Sequence, residues 1–251
     1  MAIEIFRRRE QKYLITTQQY EQLIQQLTPY MRPDKFGENG KYTVASLYFE
    51  SDDYKIYYET KNKLKYRQKL RLRVYDDTDL DGTAFFEIKQ KHKNVVNKRR
   101  VLLPLYEAYR YLKGTDHPEN YETSNPQVMR EIDYFRQFYQ LEPEMIVSYD
   151  RHALHGIKDA HLRITFDFHL RCRNNDLRLE HGSHGEYFID PNLIVLEVKV
   201  NDSVPLWLAR ILQQLSCEQR SASKFCTSLE LLKNITPPTG TVKEKAFIGG
   251  M

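Results

Sequence analysis

The stretch Arg67-Gln-Lys-Leu-Arg-Leu-Arg-Val74 carries a charged residue at every second position, and Phe85-Phe-Glu-Ile-Lys-Gln-Lys91 repeats this pattern. Successive side chains of an extended strand point to opposite faces, so Lys69, Arg71 and Arg73 share one face of the first strand. The acidic, glycine-containing residues between the two stretches predict a hairpin with a polar loop. One face of this hairpin is therefore charged and needs a partner.

The same two-residue step recurs elsewhere along the chain. It relates Glu10 to Lys12, Arg163 to Thr165 and Asp167, and Glu197 to Lys199. Because buried charges without partners are costly, several such strands predict a sheet closed around a polar, mostly cationic interior that holds an anion. The alternative is an ordinary antiparallel sheet with one solvated face, on which alternating charges are normal.

The hairpin alone predicts a patch of five cations, and a phosphate chain is its natural complement, because guanidinium and ammonium groups bind several phosphate oxygens at once. These cations are Lys69, Arg71, Arg73, Lys89 and Lys91. Four carboxylates occur in the same alternating segments: Glu10, Glu87, Asp167 and Glu197. Carboxylates are ligands that magnesium and manganese prefer, yet each of these alone is better explained as a salt-bridge partner of a neighbouring Lys or Arg.

Composition sets the broad class of the protein. A chain of 251 residues with 41% hydrophobic and 29% charged residues suits one large domain. Cys172, Cys217 and Cys226 lack metal-ligand spacing, so we expect free thiols in a reducing compartment. The amino terminus lacks a signal-peptide core and no apolar run is long enough for a membrane span, which predicts a soluble, cytoplasmic protein.

Bulk charge does not indicate a nucleic-acid binder, because the net charge is only +4. The many aromatic residues fall mostly in strand-like alternation, for which core packing is simpler than base stacking. The sequence also lacks a Walker loop, a dinucleotide-binding glycine fingerprint and a His-Glu-x-x-His zinc motif. The histidines, including His152, His155 and His161, show no ligand spacing and are expected on the surface or in the core.

Periodicity predicts the order of elements. Thr16 or Thr17 is expected to cap a helix that extends to Leu27, and further helices are predicted over 104–113, 126–140, 204–215 and 223–232. Strands are predicted over 42–49, 65–75, 84–91, 98–103, 145–149, 161–172, 186–189 and 194–200, with a turn at 50–53. The residues from 236 onward have no periodicity, which predicts a flexible tail over 236–251.

Nine short motifs occur in the order in which they occur in VTC domains, the polyphosphate-polymerase domains of the vacuolar transporter chaperone complex and their bacterial relatives. They are Glu10-Gln-Lys12-Tyr, Ser46-Leu-Tyr-Phe49, Lys69-Leu-Arg-Leu-Arg73, Glu87-Ile-Lys89, Lys98-Arg-Arg100, Ser148-Tyr-Asp-Arg151, Arg163-Ile-Thr-Phe-Asp167, Leu196-Glu-Val-Lys199 and Ser223-Lys-Phe225. The chain thus resembles this family within the CYTH-like superfamily of triphosphate tunnel metalloenzymes. CYTH proteins begin with Glu-x-Glu-x-Lys, and Arg8 at the first glutamate position favours the VTC branch.

The resemblance implies an α+β fold over residues 1–235, an antiparallel β-barrel with flanking helices whose tunnel holds a triphosphate. It implies that catalytic cations stabilise the transferred phosphoryl group: Arg71, Arg73, Lys89, Arg151 and Lys224. It implies further phosphate-binding residues: Lys12, Lys98, Arg100, Tyr149, Arg163, Lys199 and Ser223. Glu197, with Glu10 as a second candidate, is implied to bind Mn²⁺ or Mg²⁺.

The function implied is a polyphosphate polymerase that transfers the γ-phosphoryl group of ATP to inorganic polyphosphate. Two alternatives stay open: a tripolyphosphatase or nucleoside triphosphatase of the same fold, and a polyphosphate-binding module without catalysis. The expected ligands are ATP, triphosphate and polyphosphate, with no nucleic acid. A membrane-protein partner that receives the product is left open, because the chain itself contains no predicted span.

Overall fold

One large antiparallel sheet organises the fold. The computed structural model describes residues 9–92, 95–114, 118–121, 123–220 and 223–235. The strands are β1 (Arg9–Thr16), β2 (Met31–Pro33), β3 (Lys41–Glu50), β4 (Tyr66–Tyr75), β5 (Thr83–His92), β6 (Val95–Pro104), β7 (Glu142–Gly156), β8 (Arg163–Arg173), β9 (Glu186–Tyr187), β10 (Leu193–Val200) and β11 (Glu218–Gln219). The predicted hairpin of β4 and β5 is confirmed, with Arg71 directly opposite Glu87.

Six helices accompany the sheet in the described part of the chain. They are α1 (Thr17–Leu27), α2 (Lys55–Lys61), α3 (Leu105–Leu112), α4 (Pro126–Tyr139), α5 (Leu206–Gln214) and α6 (Lys224–Lys233). Thr16 caps α1 as predicted: its side chain accepts a hydrogen bond from the backbone of Gln19, whose side chain in turn accepts one from the Thr16 backbone. The prediction of an antiparallel α+β fold with flanking helices is confirmed.

The sheet curls strongly but stays open. Its hydrogen-bonded order is β11-β1-β10-β8-β7-β3-β4-β5-β6, with β2 on β7 and β9 on β8. Six strand-to-strand steps separate β1 from β5, which would be roughly 29 Å in a flat sheet. Nevertheless, Lys89 Nζ on β5 lies 4.0 Å from Glu10 Oε2 on β1. Strands β1 and β5, each next to an edge strand, therefore meet through side chains. The predicted closed barrel is corrected to an open, curled sheet over the described residues.

The two faces of the sheet are segregated. The apolar face of β4 to β6 carries fully buried residues such as Leu72 and Phe86, and it packs against α3 and α4. The apolar face of β1, β8 and β10 packs against α1 and α5, for example through Phe166 and Leu23. Because helices cover the outside, the charged face lies inside the curl. Its central charged residues Arg151, Asp167 and Glu197 are buried, so that an ordinary solvated face does not describe this part of the sheet.

Two local predictions differ from the structure, and one helix was not predicted. The predicted turn at 50–53 is present at Asp52 and Asp53, and the carboxylate of Glu50, which ends β3, accepts hydrogen bonds from the Ile56 and Tyr57 backbones at 2.9 and 2.8 Å. This long-range cap starts α2 after Tyr54, which has a left-handed φ of 56°. Strand β7 runs to Gly156 rather than to Tyr149, so that His152 and His155 lie in a strand. By contrast, β9 is shorter than predicted.

The predicted tail, 236–251, lies outside the described residues. Across the ranges that the structure does describe, no helix has the length and apolarity needed to cross a membrane. The three cysteines are free, and Cys172 and Cys226 are buried, as the sequence predicted.

Candidate functional site

We define the inner face as the charged side of the curled sheet. Cross-strand pairing fixes its membership, because directly opposed residues of neighbouring strands lie on the same face. Its central members are Lys12, Ser46, Tyr48, Lys69, Arg71, Arg73, Glu87, Lys89, Lys98, Arg100, Tyr149, Arg151, Arg163, Thr165, Asp167, Glu197 and Lys199. The sheet thus brings together strand residues that the sequence predicted as separate alternating segments.

Glu197 lies at the centre of a cluster of cations and is only 6% exposed. Its Oε1 atom accepts from Lys12 Nζ at 3.1 Å and from Lys224 Nζ at 3.0 Å. Its Oε2 atom is 3.0 Å from Lys199 Nζ and 4.0 Å from an Arg151 nitrogen. Burial alone would raise the pKa of Glu197, but the attraction of these cations, Lys12 first, holds it well below its ordinary value.

Two other carboxylates lock arginines in place. Asp167 is fully buried and forms a two-pronged ion pair with Arg151, at 2.7 and 2.8 Å. Glu87 is 1% exposed and receives Arg71 Nε at 2.7 Å and Lys98 Nζ at 2.6 Å. Although burial opposes it, the nearby cations lower the pKa of both carboxyl groups. These carboxylates are therefore ionised partners that orient the cations.

Three lysines stand side by side across β4, β5 and β6: Lys69 opposes Lys89, which opposes Lys98. Like charges directly opposite one another destabilise a sheet, so this row is suited to an anion. Lys69 donates to the Ser223 hydroxyl at 3.2 Å. Desolvation lowers the pKa of all three ammonium groups, that of Lys89 to about 8. A bound polyanion would relieve both the repulsion and the desolvation.

Arg73 is a buried cation that lacks a counterion. It is 5% exposed, and its guanidinium donates to Ser46 Oγ at 2.9 Å and to the Tyr149 hydroxyl at 3.2 Å. Among the described residues no carboxylate lies within 4.0 Å of it. The Tyr149 hydroxyl also accepts from Arg151 at 3.4 Å, so that one phenol holds two guanidinium groups. Arg73 is thus pre-positioned for a negative charge that no described carboxylate supplies within 4.0 Å.

Helix α6 brings its amino terminus onto the inner face. Ser223 caps it by accepting from the Cys226 backbone at 3.3 Å, and Lys224 Nζ reaches Asp167 at 2.6 Å. The attraction of Asp167 and Glu197 outweighs desolvation and raises the pKa of Lys224. Glu230 anchors the helix to α2, 2.7 Å from the Tyr57 hydroxyl. Lys224 therefore stays charged at the junction of β7, β8 and β10.

Two predicted phosphate-binding residues are engaged away from this centre. Arg163 donates to Asp34 at 2.9 Å and to the Tyr42 hydroxyl at 3.0 Å. The Arg100 guanidinium stacks over the Phe85 ring at 5.1 Å. Both lie on the inner face, but their contacts favour a role at its margins. Their roles in binding stay predictions.

Sequence reasoning assigned no role to Ser46 and Tyr48, although it quoted them within a motif. The strand-like alternation of 42–49 was interpreted as core packing, but Tyr48 pairs with Arg71 across β3 and β4, and the two side chains are 3.4 Å apart. Burial would raise the pKa of Tyr48, but Arg71 and Arg73 lower it to about 8. Ser46 and Tyr48 are two positions apart in the sequence, as are Arg71 and Arg73. This spacing is the sequence pattern that indicates a shared charged face.

Affinity for tripolyphosphate should fall as pH rises from 7 to 9. Lys89 is charged below its pKa of about 8 and neutral above it, while Tyr48 becomes negative above its pKa of about 8. Both changes weaken anion binding. Isothermal titration at several pH values tests this, and in Tyr48→Phe and Lys89→Met proteins the alkaline loss should become shallower. A flat profile in the unmodified protein would contradict the assignment of both groups to the anion site.

Glu10 and Glu197 are the carboxylates considered as ligands of a divalent metal. No group of three Asp, Glu, His or Cys side chains suited to a metal occurs in the described ranges. Glu10 and Glu197, however, lie 3.2 and 3.1 Å from a common cation, Lys12 Nζ. Magnesium is typically held by one or two carboxylates plus substrate phosphates and water. These two carboxylates therefore fit a metal that binds together with phosphate.

Comparisons with known proteins agree with this architecture. The sequence pattern of the VTC domain family matches residues 7–233. Subunit 4 of the vacuolar transporter chaperone complex of Trypanosoma cruzi (strain CL Brener) is 22% identical over 289 residues, which cover 93% of this chain and 35% of that protein. The chain thus spans about a third of the length of this relative.

The solved structure of a Hippeastrum protein, described as an adenylyl cyclase candidate with a dominant triphosphatase activity, is also similar. The TM-score is 0.51 at 13% sequence identity, and the match covers 93% of this chain and 99% of that chain. At this level of identity the similarity shows a shared fold.

Proposed function

The chain belongs to the VTC domain family, and on that basis we propose that it is a metal-dependent polyphosphate polymerase that transfers the γ-phosphoryl group of ATP to a growing inorganic polyphosphate. One observation carries the proposal. The inner face of the curled sheet holds a row of three lysines, together with Arg73, which has no carboxylate within 4.0 Å among the described residues. A chain of phosphates supplies negative charge all along such a face.

Phosphoryl transfer places charge on the equatorial oxygens of the moving group, so that catalysis depends on positioning and electrostatics rather than on a covalent nucleophile. We assign this stabilisation to Arg71, Arg73, Lys89, Arg151 and Lys224. The remaining phosphates are held by Lys12, Lys98, Arg100, Tyr149, Arg163, Lys199 and Ser223. Ion pairs with Glu87 and Asp167 fix Arg71 and Arg151 before substrate binds, which lowers the cost of ordering them.

Glu197 and Glu10, which both contact Lys12, would hold Mn²⁺ or Mg²⁺ in this proposal. Such a metal would neutralise charge on the phosphate oxygens. The chain itself keeps both carboxyl groups ionised. Burial and the charge of Glu197 would raise the pKa of Glu10, but the surrounding cations lower it to about 2.

Hydrolysis of a triphosphate is the second candidate, and Tyr48 is the observation that favours it. An acceptor phosphate is already anionic, whereas an attacking water must lose a proton. Tyr48 lies on the inner face beside Arg71 with its pKa lowered to about 8, so that it could accept that proton. A binding module without catalysis is the third alternative.

Incubation of the purified protein with ATP and MnCl₂ distinguishes the three. We expect chains of polyphosphate, detected by gel electrophoresis, and no product when a chelator replaces the metal. Release of orthophosphate without chains would overturn the polymerase in favour of the hydrolase. Tight binding of tripolyphosphate without any product would leave only the binding module.

Assembly is also a proposal. The Trypanosoma cruzi relative is a subunit of a complex, and by analogy we propose that this chain works with other subunits, including a membrane protein that receives the product. A cytoplasmic location fits this arrangement and stays a prediction.

A further inference from the structure

Thr165 has a hydroxyl group without a partner at the centre of the inner face. It lies on β8 between Arg163 and Asp167, directly opposite Glu197 on β10 and Ala153 on β7. The residue is 0% exposed, and its Oγ1 atom has no hydrogen-bond partner in the described part of the chain. A buried hydroxyl that makes no hydrogen bond carries a free-energy penalty, which an acceptor group bound beside it would remove.

The neighbouring carboxylates are already occupied by cations. Both oxygens of Glu197 have lysine partners at 3.0 to 3.1 Å. Both oxygens of Asp167 receive Arg151, and one also receives Lys224 at 2.6 Å. The surroundings of Thr165 are rich in cations, which attract a further acceptor rather than a further donor. The missing partner is therefore an anion with acceptor oxygens.

We propose that the Thr165 hydroxyl binds the phosphate chain directly, by donating a hydrogen bond to a non-bridging phosphate oxygen beside Arg151 and Lys224. Phosphate oxygens only accept, so the hydroxyl proton becomes satisfied on binding. This inference rests on the phosphate binding in the proposed function, but not on whether the phosphoryl acceptor is polyphosphate or water.

The test compares Thr165→Val and Thr165→Ser in the complete chain. Valine keeps the shape and removes the hydroxyl, so that the free protein should melt at the same temperature or higher. Affinity for tripolyphosphate, measured by titration calorimetry, should fall about tenfold or more, as for the loss of a hydrogen bond to a charged group. Serine keeps the hydroxyl and should keep affinity within about threefold.

Ser148→Ala is the matched control. The Ser148 hydroxyl is also buried without a partner, but it pairs with Ala45, on the apolar side of the sheet. Its removal should leave tripolyphosphate affinity unchanged. An equal loss of affinity in Ser148→Ala and Thr165→Val would show a general packing effect and overturn the inference.

The outcomes separate this inference from the proposed function. If the unmodified protein binds tripolyphosphate and Thr165→Val binds it equally well, only the assignment of Thr165 is wrong. The same holds if Thr165→Val melts lower with unchanged affinity, or if it loses binding of MnCl₂ alone while tripolyphosphate affinity persists. If the unmodified protein does not bind tripolyphosphate at all, the proposed function falls together with the inference.

Discussion

Arg73→Gln should lower kcat/KM for polyphosphate synthesis by a factor of about 100 to 1000, while leaving the folded protein nearly as stable as before. The guanidinium has no carboxylate within 4.0 Å among the described residues, and Glu87, whose pKa it helps to lower, keeps its ion pairs with Arg71 and Lys98. In the complex it would face the phosphate chain in a desolvated setting, where one donor to developing charge has a large effect. The measurements are steady-state rates with ATP and the melting temperature.

Arg99→Gln supplies the matched control for Arg73. Arg99 lies on β6, one position from the inner face, and its guanidinium pairs with Glu131 on α4 at 2.5 Å. This variant should retain full activity, although it also loses an arginine. Full activity of Arg73→Gln would remove Arg73 from the transfer site, and an equal loss in both variants would point to net charge rather than position.

Glu197→Gln should lower the free energy of unfolding by about 3 to 5 kcal/mol at pH 7. Four cations lie within 4.0 Å of this buried carboxylate, and an amide removes its charge from all four, although Asp167 still pairs with Arg151 and Lys224, and Glu10 with Lys12. Because the pKa of Glu197 is lowered on folding, its contribution is fully present above its unfolded pKa of about 4.3. The difference from the unmodified protein should therefore shrink progressively as pH falls below about 4.3 toward the lower pKa of the folded state.

Urea unfolding of Glu197→Gln measures this loss, with Glu218→Gln as control, since the Glu218–Arg220 pair is solvent-exposed and should contribute no more than about 1 kcal/mol. Tripolyphosphate should restore part of the stability, because it supplies the missing negative charge. A variant as stable as the unmodified protein would contradict the role of Glu197 as the counterion of this cluster.

The alternation of charge predicted the strands and the inner face well, because a period of two residues is a local property. Lys69, Arg71 and Arg73 could be placed on one face from the sequence alone. The family resemblance is confirmed, and it supplied candidates such as Lys224 that have no local signature. What the sequence could not supply is the pairing of Glu197, whose partners come from β1, β7, β10 and α6.

The missed features depend on tertiary contacts. Helix α2 is capped by Glu50 and Ser51, which precede it by several residues, and not by the residue at its N-cap position, Tyr54, so the usual capping pattern does not mark it. The unpaired state of Thr165 is visible only when the hydrogen bonds of its neighbours are known. The cost of burying charge predicted that the sheet curls around its charged face. That cost does not determine whether the two sides of the curled sheet are joined by backbone hydrogen bonds or by side-chain contacts.

Because the sheet is open, strands β5 and β1 are joined by an ion pair rather than by backbone hydrogen bonds. In a closed barrel the joint between first and last strands is a ladder of backbone hydrogen bonds, which dissolved salt scarcely affects. Here the direct contact is an ion pair between Lys89 and Glu10, with 45% and 28% of the two side chains exposed. Charges in such partly hydrated pairs are screened over about 8 Å at physiological ionic strength. This contact between β5 and β1 is therefore more sensitive to ionic strength than a ladder of backbone hydrogen bonds would be.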